Sequence, residues 1–273
     1  MPEKVKLGFI GCGFMGQCVH LPSFKRAENV EIVAISDLRI KLAKAVAERW
    51  TIRKVYSFHL EMMQDEEIDA IVEITNKSVH APIALDALKA GKHVFTEKPI
   101  ATNTKDAEEM VKAAEKNDLK LMVDYMKRYD TGVLKAKEVF EDFVKSDKVT
   151  YVRFHLFGGD WLCGSTAEQM IKTEETYPEI KPRFPDFVPK EFVKATNNLL
   201  EQIHVYRAGK IQRDESPHGT WSWSFERQAQ HFIDCIVEDK EPISSGFDSF
   251  KDIVIIESML KAAIEGKRIE IKS

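Results

Sequence analysis

Apolar residues in the first 125 positions fall into two alternating patterns. Short dense runs lie at 5–10, 31–36, 70–74, 93–96 and 120–123, as expected of strands buried on both faces of a parallel sheet. Between them, at 15–24, 40–49, 58–64, 81–90 and 105–117, apolar positions recur every three or four residues, as on amphipathic helices. Gly91 stands just past the fourth helix, where a C-terminal cap belongs, and Thr104 can cap the fifth. Strand and helix alternating in this way predict an α/β fold, a doubly wound parallel sheet with right-handed crossovers, over 1–125. Ligands of such sheets bind beyond the carboxyl ends of the strands.

Past position 125 the pattern changes. The segment 149–156 alternates like a half-buried strand, and 224–238 and 248–265 read as amphipathic helices. Residues 268–271 suggest a short closing strand. Four prolines and no clear period mark 177–189 as a loop or lid. The expected division is 1–125 and 126–273.

The first strand runs into Gly11-Cys12-Gly13-Phe14-Met15-Gly16, which fits the dinucleotide fingerprint G-x-G-x-x-G. Gly11 permits the tight turn, Gly13 lets a pyrophosphate approach the backbone, and Gly16 lets helix and strand pack closely. The helix N-terminus then offers N–H groups to phosphate. Asp37 ends the second strand run, 21 positions beyond Gly16, where an acid accepts the ribose hydroxyls of NAD. NAD is therefore expected over NADP, with Arg39 nearby to soften the preference. Thr75, Asn76, Glu97 and Lys98 follow directly after strands and are expected to face the same crevice.

Lys+Arg 40 against Asp+Glu 44 leaves a net charge of −4, with no basic block for nucleic acid. No apolar run reaches membrane-spanning length, and Met1-Pro2-Glu3-Lys4 lacks the core of a signal peptide, so a cytoplasmic protein is expected. Cys12, Cys18, Cys163 and Cys235 lack metal-ligand spacing and read as reduced thiols. His155 and His231 have no spaced partner, so no metal site is expected. Trp221 and Trp223 read as packing residues.

Ala90-Gly91-Lys92-His93-Val94 followed by Glu97-Lys98-Pro99, with Val72-Glu73-Ile74-Thr75-Asn76 upstream, resembles the Gfo/Idh/MocA oxidoreductase family of glucose–fructose oxidoreductase and inositol dehydrogenase. Tyr125-Met126-Lys127-Arg128-Tyr129 and Ser222-Trp223-Ser224-Phe225-Glu226-Arg227-Gln228 extend the resemblance. It implies a Rossmann NAD(P)-binding domain, then an α+β domain whose open, mainly antiparallel sheet covers the active site and commonly packs against a second subunit. A homodimer or homotetramer is the implied assembly.

Lys98 is the expected catalytic residue. Proline at 99 holds it in an extended conformation at the strand end, and a lysine in a closed, partly dry site comes within range of acid–base work. The resemblance sets it beside the nicotinamide and the substrate hydroxyl. Glu97 is expected to contact the cofactor or orient Lys98. His80 lies near the cofactor by resemblance, though a histidine opening a helix needs no ligand. Arg128 reads as a cofactor or substrate contact, or equally as a surface ion pair.

The family's second motif, an acid or asparagine four residues before a histidine, is not matched. Its only counterpart, Glu201-Gln202-Ile203-His204, is one residue short, and 202–211 alternates like a hairpin strand. His204 is read as a strand residue, with a catalytic role as the lesser alternative, and the second domain as shortened. The expected activity is NAD-dependent oxidation or reduction at a secondary alcohol of a sugar, inositol or related cyclic polyol. The alternative is a catalytically silent NAD(P)-binding sensor or regulator on the same scaffold.

Overall fold

The computed structural model describes residues 4–145, 170–178, 180, 185, 187–188 and 224–271. Six strands pair into one parallel sheet: β1 (Val5–Ile10), β2 (Val30–Ser36), β3 (Lys54–Tyr56), β4 (Ala70–Glu73), β5 (His93–Thr96) and β6 (Leu121–Val123). Their order is β3-β2-β1-β4-β5-β6, so the winding reverses between β1 and β4 and opens a crevice there. All five expected strands are present. The sixth, β3, escaped the sequence pattern because it is three half-buried residues at the sheet edge with no apolar run.

A π-helical turn (Gly16–His20) leads without a break into α1 (Leu21–Arg26), with Pro22 in its first turn. Helices α2 (Ile40–Trp50), α3 (His59–Met63), α4 (His80–Lys89), α5 (Thr104–Lys116) and α6 (Thr131–Phe143) follow. Asn103, not Thr104, caps α5, because its side chain accepts the Asp106 N–H at 2.8 Å. Thr104 instead donates its N–H and hydroxyl to Glu257 at 2.7 and 2.8 Å.

Glu257 belongs to α8 (Gly246–Glu265), and α7 (Ser224–Val237) precedes it. Both helices return to the sheet of the first 125 residues. Ala229, Phe232 and Ile233 of α7 join Phe9, Phe24 and Phe95 in the core on one face, while Ile253 of α8 joins the core built by α3, α4 and α5 on the other. The chain before α8 also covers the β6 edge, with Val123 N–H bonded to Ser244 O at 2.9 Å. Alternation along the sequence marked these helices but not their partner, which lies a hundred positions away.

Residues 268–271 form no strand and pair with none among the described residues. The strand expected at 149–156, the hairpin at 202–211 with His204, most of the proline-bearing loop 177–189, and His155, Cys163, Trp221 and Trp223 lie outside the described residues. Among the described residues no helix is long and apolar enough to cross a membrane.

Phe232 tests the return of α7. It is fully buried, 5.6 Å from the Phe95 ring and 6.3 Å from Phe24. Phe232→Ala should cost about 3–5 kcal/mol in urea unfolding; a loss below about 1 kcal/mol would mean α7 does not complete this core.

Candidate active site

Parallel pairing places Ser36, Ile10, Glu73, Thr96 and Val123 in one row across the carboxyl edge of the sheet. The next residue of each strand is Asp37, Gly11, Ile74, Glu97 and Asp124. The site is therefore assembled by register from positions spread over more than a hundred residues.

Gly11 has φ of +104°, and a Cβ there would meet Ile74 O at 2.3 Å, so no other residue fits this turn. A Cβ on Gly16 would meet Gly11 O at 2.6 Å, which lets the π-helical turn start close under the loop. Nothing lies within 4 Å of a Cβ on Gly13. That open backbone face fits a pyrophosphate. Phe14 and Met15 are half-buried and pack against Cys18, Val19 and Phe225.

Asp37 stands at the end of β2 as expected, but its carboxylate is already engaged. Oδ2 accepts the Cys12 N–H at 2.8 Å and Arg39 Nη2 at 2.9 Å, and Oδ1 accepts Arg39 N–H and Nε at 2.9 Å. Burial would raise its pKa, and the Arg39 bonds outweigh this and hold it below the usual carboxylate value. Residues 170–177 run over this end. Gln17 exchanges hydrogen bonds with Ile171, Glu175 takes the free N–H groups of Lys41 and Leu42 at 3.1 and 3.0 Å, and Tyr177 lies 5.0 Å under the Arg39 guanidinium. Glu175 thus fills the anion-binding start of α2.

At the other end Lys98 is exposed, following β5 and joined to Pro99 by a cis peptide. Thr75 donates its N–H to Glu73 at 2.9 Å, and its hydroxyl also bonds that carboxylate; Thr96 Oγ1 donates to the second oxygen at 2.7 Å. Asn76 caps the short turn that follows, accepting from Ser78 N–H at 3.0 Å. His80 is buried, with Nδ1 2.9 Å from Pro99 O and Nε2 3.3 Å from Thr75 O, so it braces two loops of the site. Arg128 is taken up by α8: it bonds Asp248 and Ile243 O and stacks on Tyr125. Arg128 thus makes the ion pair that one of its two readings expected.

Glu97 does not face the crevice as its place after a strand suggested. It is buried, with Oε1 3.0 Å from His20 Nε2, while Oε2 accepts the Lys98 N–H at 3.0 Å. Asp124, also buried, has Oδ2 3.3 Å from His20 Nε2 but outside hydrogen-bond alignment, and both its oxygens lack a bond. Sequence reasoning missed His20 and Asp124. The available signals were slight: His20 lies one helical turn after Gly16, and Asp124 follows a strand as Asp37 does. Atoms of His20, Glu97 and Asp124 lie within 4.8 Å of one another, close enough to hold an ion, although 3.0 Å between His20 and Glu97 is already a hydrogen bond.

A family model described as an oxidoreductase family with an NAD-binding Rossmann fold matches residues 5–125. Myo-inositol 2-dehydrogenase of Thermotoga maritima is 30% identical over 138 residues, covering 50% of this chain and 41% of that protein. The match thus spans well under half the length of such curated relatives. A solved structure of a mutant 3-ketoreductase from Actinomadura kijaniata, in complex with TDP-benzene and NADP, superposes with a TM-score of 0.50 at 25% identity, over 55% of this chain and 46% of that one. Aldose-aldose oxidoreductase from Caulobacter crescentus, complexed with glycerol, gives a TM-score of 0.70 over 98% of this chain and 100% of that one, at 20% identity, a likeness of fold.

The buried cluster carries its own pH signature. Burial works to lower the His20 pKa, but Asp124 and Glu97 overcome it and raise it to about 9. Burial works to raise Glu97, and the imidazolium, helped by Lys98, brings it down to about 2. Asp124 rises to about 6 through burial and the charge of Glu97. A raised imidazole contributes stability below its unfolded value near 6.5, and that contribution is lost as pH climbs through about 9. Urea unfolding should therefore show stability falling by about 2 kcal/mol between about pH 7 and about pH 9, with His20→Gln flattening the fall. A flat native profile would mean His20 is not held as a cation.

Proposed function

We propose, on the premise that residues 5–125 belong to the Gfo/Idh/MocA oxidoreductase family with its NAD-binding Rossmann fold, that this chain is an NAD-dependent oxidoreductase. Its substrate would be a secondary alcohol, or the matching ketone, of a sugar, inositol or related cyclic polyol. The observation that carries the reading is the strand-end row, which brings the glycine turn, Asp37 and Lys98 to one edge of the sheet. The names of the Thermotoga and Actinomadura proteins support the substrate class.

Gly11, Gly13 and Gly16 would admit the pyrophosphate, Asp37 the adenosine ribose, and the Thr75–Asn76 turn the nicotinamide half. NAD, when bound, supplies the hydride acceptor. Lys98, as its neutral amine, would take the hydroxyl proton as the carbinol hydrogen leaves as hydride, and its exposure gives that proton a route to solvent. Glu97 stays behind the lysine as a fixed carboxylate and transfers no proton.

NAD is favoured over NADP because a 2′-phosphate would meet two carboxylates, Asp37 and Glu175. The Arg39 fork on Asp37 works the other way, so the preference is a matter of degree. A silent cofactor-binding sensor is the second reading, favoured by one observation: the match to curated dehydrogenases covers only half of this chain. The proposed assembly is a homodimer or homotetramer, on the exposed Val133, Leu134 and Phe140 of α6 and Ile256 and Met259 of α8.

Lys98→Ala should lower kcat on a polyol substrate by roughly 100-fold or more with NAD affinity kept, and Lys98→Arg should fail as well. Native turnover by the alanine variant would remove Lys98 from the chemistry; NAD binding with no turnover of any polyol would favour the sensor. In fluorescence titrations NADH should bind more tightly than NADPH, and Asp37→Ser should narrow the gap. Equal or tighter NADPH binding by the native chain would overturn the cofactor assignment.

A further inference from the structure

Lys98 is exposed, yet the backbone that launches it is gripped from inside the protein. The Glu97 carboxylate is the grip. One oxygen accepts the Lys98 N–H and the other faces His20 Nε2, both at 3.0 Å. A carboxylate so enclosed keeps its charge only beside a well-placed donor, and the loss of that donor would leave it free to turn or take up a proton.

His20 is carried by an element other than β5. It ends the π-helical turn that begins at Gly16, and its ring is wedged edge-on between Phe95 and Phe225, with centroids 5.6 and 5.7 Å away. We infer that His20 is a positioning residue for Lys98: it locks the Glu97 carboxylate, and that carboxylate fixes the peptide from which the lysine leaves the strand. Asp124, 3.3 Å from the same nitrogen, adds a second acidic group that favours the imidazolium. The turn that starts at the third glycine of the dinucleotide loop and the lysine at the end of β5 are thereby joined through two side chains, His20 and Glu97. The inference rests on Lys98 being the proton-transfer residue.

Amide hydrogen exchange by NMR on the full chain tests the link without substrate. The Lys98 N–H should be protected although the residue is exposed. In His20→Gln that protection should drop by about tenfold, the order of one hydrogen bond, while the Val94 and Phe95 amides inside β5 keep their rates. An unchanged Lys98 amide, or an equal loss along all of β5, would overturn the inference. Should the variant not fold, the native histidine spectrum decides: His20 should remain doubly protonated at about pH 8, and ordinary titration near pH 6.5 would overturn the inference. Zinc displacing the His20 proton would overturn it too, as the cluster would then be a metal site. A chain that passes these tests but oxidises no polyol keeps the His20–Glu97–Lys98 link and loses the dehydrogenase reading.

Discussion

Parallel strands in one sheet end at a common edge, and in this chain that edge is aligned residue by residue: Ser36 beside Ile10, Ile10 beside Glu73, Glu73 beside Thr96, Thr96 beside Val123. Everything at the site depends on that register. A slip of one residue between β4 and β5 would turn Thr96 away from Glu73 and send Glu97 and Lys98 to the opposite faces. Near-continuous apolar strands hold the alignment, because both faces are packed against helices and neither can be exchanged for solvent. The helices returning at 224–265 finish that packing, so the distal part of the chain helps to set the geometry of the first part.

Such an edge leaves acids at the boundary between core and crevice, and the structure treats three of them differently. Glu73 is wholly buried and relies on hydroxyl and amide donors from Thr75 and Thr96. Glu97 relies on a histidine cation and one backbone N–H. Asp124 has no aligned donor, and burial together with the charge of Glu97 raises its pKa to about 6. These choices concentrate ionisable chemistry just behind Lys98 while leaving the lysine itself in water.

The Asp37 end of the edge follows another logic. There, the segment 170–177 engages the groups at the strand and helix ends. Arg39 forks onto Asp37, Tyr177 lies under Arg39, and Glu175 satisfies the start of α2, which has no side-chain cap of its own. Each contact satisfies a group that would otherwise be left unpaired. Asp37 and Glu175, 138 positions apart, both stand at this end, and in the proposed function both bear on the choice of cofactor.

The sequence by itself determined five strands of the sheet, every described helix but α6, the glycine turn, and the placement of Asp37 and Lys98 at strand ends. These depend on short-range rules: apolar periodicity, the steric demand at Gly11, and the reach of a residue one step beyond a strand. It missed β3, whose three residues owe their pairing to the neighbouring strand and not to their own composition. Only the tertiary structure decided which way Glu97 turns, that His20 and Asp124 meet it, that Arg128 belongs to α8, and that α7 and α8 complete the first sheet. Those outcomes are contacts between residues some 75 to 220 positions apart. Local pattern carries no record of such distances, because the energy that fixes them comes from burial and charge pairing after the chain has folded.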